Sequence, residues 1–472
     1  MEDTIVIKNP LIFLNESYFK KHIFIDNFKD GTINVILKNE IPYEIFITFK
    51  DNPSLCDKFI EKYNDNFFED EFNYKLQIEK VSKELDIEKE KELILSQEKK
   101  YVKIPYHIDY ENMIFKDYEN SLYKNGLIYH DEEEKSKIAN GAKWLIKKFG
   151  QNLLQGKSVL RISLPVFLFD KRTLQEVFAY ELKGAPYYLH HAYYSKNIFE
   201  RLKWITVLMM SQCYISTLET KPFNPIIGET FQCRIGDLQI YLEQTENHPI
   251  TSNFYGITDN KHIKIYGYII YDASIGVNNC YAVRLGKFFI EFDDGQKYQI
   301  RTPAVLLQGF FNERLYNYID CCAVLDLTNN YASFIKLNPD ELGYFKSFFS
   351  NKQNTPPDTF IGQFCKISDI NLKDNDGKHE INKNSTPFVK IEGCWTRDII
   401  FDGEEYWNVE DNKLFTLYET GYILPSDGRK RDDYIELVKG NIDKAQEEKE
   451  KLENLQRYDR KLRADYAKKN KK

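Results

Sequence analysis

Hydrophobic and polar positions divide this chain into regions of different period. Between residues 226 and 400 apolar and polar residues alternate in short runs: Lys264 to Tyr271, Tyr281 to Leu285, Lys287 to Phe292, Gln296 to Arg301, Cys321 to Leu327 and Ala332 to Leu337. A period of two predicts strands, and Asp294-Gly295 between two of these runs marks a hairpin. Upstream the spacing is helical. Residues 172–183 and 197–218 predict helices, the second apolar enough (Trp204, Ile205, Val207, Leu208, Met209) to be buried. Trp144, Leu145, Phe149 and Leu153, beside Lys147 and Lys148, predict a short amphipathic helix over Gly141–Leu154. From Gly440 onward a long charged helix is predicted, with Ile442, Ala445, Leu452, Leu455 and Leu462 as its sparse apolar points.

The first 135 residues read differently. Residues 1–78 predict a small β-rich unit, with strands at Phe24–Asp26 and Thr32–Leu37 around Asp30-Gly31 and another at Tyr43–Phe49. Residues 80–100 are densely charged and predict a solvated helix or linker, and Tyr101 to Tyr110 is strand-like. The acidic run Asp131–Glu134 marks a boundary, so two units are expected, 1–135 and 136–472. The second is expected to be mainly β with flanking helices, as a barrel or curled sheet, with a loop near 372–385.

Composition narrows the function. Charged residues make up 29% of the chain and the net charge is −7, which argues against a general nucleic-acid binder. No run of about 18 apolar residues predicts a spanning helix. The start, Met1-Glu2-Asp3, lacks the basic-then-apolar order of a signal peptide, and the eight cysteines form no C-x-x-C pair, so a cytoplasmic protein with reduced cysteines is expected. There is no H-E-x-x-H spacing for a metal and no G-x-S-x-G elbow for a lipid hydrolase, so neither metal, cofactor nor catalysis is expected. The aromatic content of 15% suits a lipid-lined cavity or a biased genome equally well.

Three constellations carry candidate chemistry. In Lys221-Pro222-Phe223-Asn224-Pro225-Ile226-Ile227-Gly228-Glu229-Thr230-Phe231 two prolines fix the loop, and Lys221 and Asn224 offer an ammonium and an amide to a phosphate or inositol oxygen. An ordinary loop with a surface lysine fits the same residues. Asn247-His248 place an amide beside an imidazole before Pro249, as an anion site or as a structural histidine. Lys449, Glu453 and Arg457 share one helix face, as an anion-holding ladder or a solvated stripe. His190-His191, among tyrosines, reads as packing. The basic residues after 456 favour an anionic membrane surface or plain solubility.

The order of these motifs resembles that of the oxysterol-binding-protein-related family of lipid-transfer proteins. KPFNPIIGETF and EQTENHPITS are similar to that family's KPFNPLLGET and EQVSHHPPIS. Ile162–Leu168 is similar to its SLPVFL segment, and Leu424–Asp427 through Arg457 to its LPPTDSR…LEExQR end, so the resemblance spans about 138–463. It implies a nearly closed antiparallel β-barrel around a lipid tunnel, with Gly141–Gln155 as an N-terminal lid carrying Trp144, Leu145, Phe149 and Leu153. It also implies a protein that extracts a sterol or phospholipid and exchanges it for phosphatidylinositol 4-phosphate, peripherally on organelle membranes. Lys221, Asn224, Asn247, His248, Lys449, Glu453 and Arg457 would bind the headgroup. The chain departs from the pattern where Asn247 replaces the first histidine, Glu246 a serine and Ile250 the second proline, which predicts weaker phosphate binding. The segment Gln232–Leu242 is short and predicts a trimmed hairpin. Residues 1–135 match no module and have an unknown protein partner. A lipid sensor reporting through them is the alternative.

Overall fold

The computed structural model describes residues 164–469 apart from 216–220, 277, 310–314, 338–357, 373–378 and 383–384. Before that it describes residues 4–64 and 76–81 with interruptions, 87–96, 104, 127–128 and short stretches of 136–147. The N-terminal unit is a four-stranded sheet of β1 (Thr4–Ile7), β2 (Thr32–Lys38), β3 (Ile41–Thr48) and β4 (Ile78–Lys80), in the order β2-β3-β1-β4. Helix α1 (Pro53–Tyr63) opens on a proline, whose missing amide costs nothing in a first turn, and α2 (Ile87–Ser96) falls in the charged stretch. β2 pairs with β3 from Thr32↔Thr48 to Lys38↔Ile41, across a reversal that includes Glu40 at φ 67°. Gly31 N–H donates to the Phe28 carbonyl at 3.1 Å at the expected turn before β2, of which Asp30 lies outside the described residues. Phe24–Asp26 lie outside the described residues, as does Tyr101–Tyr110 except Ile104.

The dominant element is a 16-stranded sheet. Its members begin with β5 (Leu127–Ile128). Two strands outside it, β6 (Phe169–Thr173) and β7 (Lys221–Phe223), pair with each other in parallel. An antiparallel run follows: β8 (Thr230–Ile235), β9 (Leu238–Asn247), β10 (Ile250–Thr258), β11 (Ile263–Ile275), β12 (Asn279–Phe292) and β13 (Lys297–Arg301). β14 (Ala304–Gln308) and β15 (Leu315–Ile319) branch off β12 and reach β5. The path continues from β13 through β16 (Cys321–Asp326), β17 (Tyr331–Leu337) and β18 (Thr359–Lys366). Next comes a separate small pair, β19 (Ile370–Asn371) with β20 (Glu380–Ile381), of which β20 falls inside the stretch 372–385 read as a loop. β21 (Lys390–Cys394), β22 (Asp398–Phe401) and β23 (Glu404–Asn408) complete one end, and β24 (Leu417–Tyr418) pairs with β8 at the other. Among the described residues the ladder does not close on itself: β23 and β24 are its two ends. Strand β9 shows why the run forms, with Leu238, Ile240, Leu242 and Gln244 buried in alternation with more exposed neighbours.

The runs read as two strands, Tyr281–Leu285 and Lys287–Phe292, are one. Gly286 lies between them at φ 117°, and a Cβ there would sit 2.2 Å from the Tyr268 carbonyl oxygen. On β11, Gly267, paired with Phe288, lies at φ 152°, its Cβ position 1.8 Å from the Lys287 oxygen. The glycine that reads as a break therefore bends a ladder that continues.

Helices α3 (Leu174–Glu181), α4 (Ala185–Tyr194) and α5 (Ile198–Ile215) pack on the sheet. A capping box starts α3: Glu176 N–H donates to Thr173 Oγ1 at 3.3 Å and Thr173 N–H to Glu176 Oε2 at 2.9 Å. α4 was not foreseen, and it contains the His190-His191 pair. His191 stacks on Trp204 at 4.1 Å and His190 bonds Asp237 at 2.8 Å, so the pair is packed as its aromatic setting predicted. One apolar cluster joins the sheet and these helices with Ile5, Ile45 and Phe59 of the N-terminal unit. Glu40 Oε2 accepts from Thr416 N–H at 2.6 Å, beside β24. Two helices close the chain, α6 (Asp432–Val438) and the 28-residue α7 (Ile442–Lys469). Val166 N–H donates to Gln446 Oε1 at 2.8 Å and fastens α7 to the start of the domain. Among the described residues no helix is long and apolar enough to cross a membrane.

Candidate functional site

A cavity of about 800 Å³ lies where β7, the β9–β10 turn, Phe169, Arg431 and α7 meet. The predicted headgroup residues Lys221, Asn224, Asn247, His248, Lys449, Glu453 and Arg457 all line it. Lys221 opens β7, and its register with Phe169 of β6 holds it over that ring, with Nζ 4.6 Å from the centroid. The same ammonium donates to Asn224 Oδ1 at 2.7 Å and to the Pro222 carbonyl at 2.9 Å. Lys449 comes from α7, buried, and its Nζ stands 5.4 Å from the same Phe169 centroid. Two ammonium groups thus share one aromatic ring, each drawn to its electron-rich system. Lys449 donates to Glu453 Oε1 at 2.5 Å, and Arg457 to Glu453 Oε2 at 2.9 Å, so the carboxylate aligns both cations.

Electrostatics follow from this crowding. Burial, and then the charges of Lys449 and Arg431, push the Lys221 ammonium down from its usual range to about 7, with Glu453 opposing them. An anion brought beside Lys221 would offset the neighbouring cations and favour its charged form. Asn247 and His248 sit on the other wall, at the β9–β10 turn, Asn247 half-buried and His248 exposed.

Arg431 was missed by the sequence reading, although it lines the cavity. It forks onto Asp433 at 3.0 and 2.7 Å and donates from Nη1 to Glu229 Oε2 and to the Asn224 carbonyl, both at 2.9 Å. Glu229 Oε2 also accepts from Ile226 N–H at 2.9 Å, and Gly228, at φ 79°, donates to the Gln244 carbonyl at 2.8 Å. These bonds hold the proline loop against β9. Its charge spent on two carboxylates, Arg431 builds the wall and leaves the lysines to meet a ligand. Arg460 and Arg463, also missed, continue the cationic lining outward along α7. A ladder continued past Arg457 at helical spacing was the signal for them. Of the amphipathic helix, Trp144 packs against the cluster of Leu164, Val166, Phe169 and Phe223, whereas Leu145, Phe149 and Leu153 lie outside the described residues.

Chemically, the cavity has cations, amides and an apolar ledge. Among the described residues no group of three or more metal-ligating side chains occurs. Such a lining can accommodate an anionic, partly apolar ligand.

The sequence model of the Oxysterol-binding protein family matches residues 150–472. The chain is 31% identical over 347 residues to Oxysterol-binding protein 9 of Dictyostelium discoideum, covering 73% of this chain and 80% of that one. It is 25% identical over 333 residues to Oxysterol-binding protein-related protein 2B of Arabidopsis thaliana, covering 65% of this chain but only 45% of that protein. Among solved structures, the Osh1 ORD domain in complex with cholesterol superposes with a TM-score of 0.55 at 17% identity, over 77% of this chain and 90% of that one. The Osh3 ORD in complex with PI(4)P from Saccharomyces cerevisiae gives 0.50 at 18% identity, over 68% and 83%. At these identities the likeness is one of fold.

Proposed function

The chain belongs to the oxysterol-binding protein family, whose members bind lipids and are not enzymes, and from that premise we propose that it extracts a sterol or phospholipid and exchanges it for phosphatidylinositol 4-phosphate between intracellular membranes. The observation that carries this reading is the pair Lys221 and Lys449 on one Phe169 ring, with Asn224 and the Asn247-His248 turn around the same cavity. A phosphomonoester is the anion such a pair suits, since it brings up to two negative charges and several acceptor oxygens. The hydrophobic part of the cargo would lie inside the sheet, curled as a nearly closed barrel around a tunnel, with Gly141–Gln155 as the lid. The unit 1–135 would stand beside this 136–472 domain, fastened to it at Glu40 and at β5. The protein would work in the cytoplasm, touching anionic membranes transiently. The test is to incubate it with liposomes carrying sterol, phosphatidylserine and phosphatidylinositol 4-phosphate and to identify the bound lipids by mass spectrometry. Recovery of the phosphoinositide with one other lipid is expected; recovery of sterol or phospholipid alone would defeat the exchange reading.

Affinity for the phosphoinositide will depend on pH. Lys221, near 7 in the free protein, must be charged in the complex, so binding takes up a proton above that pH. Affinity therefore falls as pH rises through 7, by up to about tenfold per unit. Below about 6 the phosphate itself loses a charge, so the maximum lies between. Isothermal titration from pH 5.5 to 8.5 will read this, and in Lys221→Met the decline above 7 should disappear.

Asn247→His should tighten binding of phosphatidylinositol 4-phosphate by about tenfold, because a chargeable donor replaces a neutral one. Competition against phosphatidylinositol measures it. An unchanged preference would mean that the turn does not face the phosphate.

A further inference from the structure

The last turns of α7 present a face that the cavity does not use. Leu455, Tyr458, Leu462 and Tyr466 are 57%, 60%, 49% and 71% exposed. Their spacing of three, four and four residues places them within one quadrant of the helix, as a stripe roughly 16 Å long. The cavity-lining residues Lys449, Gln456, Arg460 and Arg463 fall on a different face, centred about 125° around the axis. Leucines and tyrosines exposed in this number on one helix face are unusual for a solvated surface. Over residues 455–469 the helix carries Arg457, Arg460, Lys461, Arg463, Lys468 and Lys469 against Asp459 and Asp465, an excess of four positive charges in a protein whose overall charge is −7.

We propose that this stripe is an interfacial anchor: the end of α7 lies in the headgroup layer of an anionic bilayer, Leu455 and Leu462 in the acyl boundary and Tyr458 and Tyr466 at headgroup level. Two features select a bilayer over a second copy of the chain. The local charge is positive where the whole molecule is negative, which repels a like helix and attracts an anionic surface. The stripe also shares its helix with the arginines that line the candidate lipid site, so seating it would hold that cavity within about one helix diameter of the bilayer, on the helix face turned away from it. An apolar face of leucine with amphipathic aromatics, backed by a cationic face, is the pattern of helices that lie in the interface and do not span it. The inference rests on the lipid-exchange reading for its purpose, but not for its test.

The experiment is flotation of the full-length protein with phosphatidylcholine vesicles containing or lacking 30% phosphatidylserine, beside uptake of water-soluble dioctanoyl phosphatidylinositol 4-phosphate. The wild type should float with the anionic vesicles, and less in 0.5 M salt. Leu455→Ser with Leu462→Ser should weaken flotation by at least tenfold and leave uptake of the soluble lipid unchanged. Both positions are exposed, so the fold should persist, and its melting temperature will verify that. Equal flotation of variant and wild type would overturn the proposal. So would a wild-type dimer in ultracentrifugation that the same substitutions dissociate. Failure of soluble-lipid uptake with flotation intact would count against the exchange reading while supporting the anchor.

Discussion

Lys221→Met will lose phosphoinositide affinity by roughly 10- to 100-fold and will gain stability. The loss follows from removing one charge-assisted contact, worth about 1.5–3 kcal/mol. The gain follows from the ground the lysine stands on. Burial and the neighbouring Lys449 and Arg431 charges hold its ammonium near 7, so at neutral pH the folded protein bears the cost of a cation it would rather discharge. The sign is fixed by linkage. A lysine whose folded value lies below its unfolded value destabilises the fold wherever it is protonated, most strongly below pH 7, and this penalty fades as pH rises towards 10.5. Methionine keeps the apolar stem on Phe169 without the charge, and we expect about 1–3 kcal/mol of added stability at pH 7. Denaturant unfolding of the two proteins at pH 6 and pH 9.5 reads this directly: the difference should be large at pH 6 and shrink at pH 9.5. A variant that binds poorly and is also less stable would mean that Lys221 serves to hold the loop.

Arg431→Met is the counterpart, and it should be costly. Its partners Glu229 and Asp433 have side chains 1% and 0% exposed. Removing the cation strands two buried carboxylates, a change of about 3–5 kcal/mol, or roughly 5 °C or more in melting temperature. The carboxyl of Glu229 is already pushed up by burial, with Arg431 as the main opposing influence. Without the arginine it rises further, so the variant's deficit should narrow as pH falls from 7 to 5. Adding Glu229→Gln and Asp433→Asn should restore most of the loss. Arg431→Lys should recover only part, because an ammonium cannot reproduce the fork onto Asp433. A melting temperature indifferent to the substitution would remove Arg431 from its structural role.

What the sequence made legible, it did through backbone chemistry. Pro222, Pro225 and Gly228 constrain a loop in which Lys221 and Asn224, three residues apart, can point to one place, but the same residues fitted an ordinary surface loop and the family resemblance chose between the two. The period-two runs likewise announced a β-rich domain, and the charged end with its sparse apolar points a terminal helix. Local pattern failed where context overrides preference. Helix α4 carries Tyr187, Tyr188, Tyr193 and Tyr194, residues with weak helical preference, and burial against α5 decides its form. Gly286 looked like the end of a strand because its positive φ is also what turns use. Arg431 lies 202 residues from Glu229, and no local signal announces a pairing across that distance. The position of Phe169 under two lysines was equally hidden, since a phenylalanine beside SLPVFL reads only as core.

The cavity's walls also set an order in time. Phe169, Lys221, the 246–250 turn, Arg431 and α7 are brought together across the whole domain, with the Val166–Gln446 bond spanning 280 residues. Chain growth runs from the N-terminus, and contacts of such separation are among the last to pay back their loop closure. The strands from Thr230 to Asn408 are therefore synthesised, and free to pair, before Arg431 and Lys449 exist. On the proposed reading, headgroup selectivity would then be the last property the growing protein acquires, because Arg431 and Lys449 both follow the sheet along the chain.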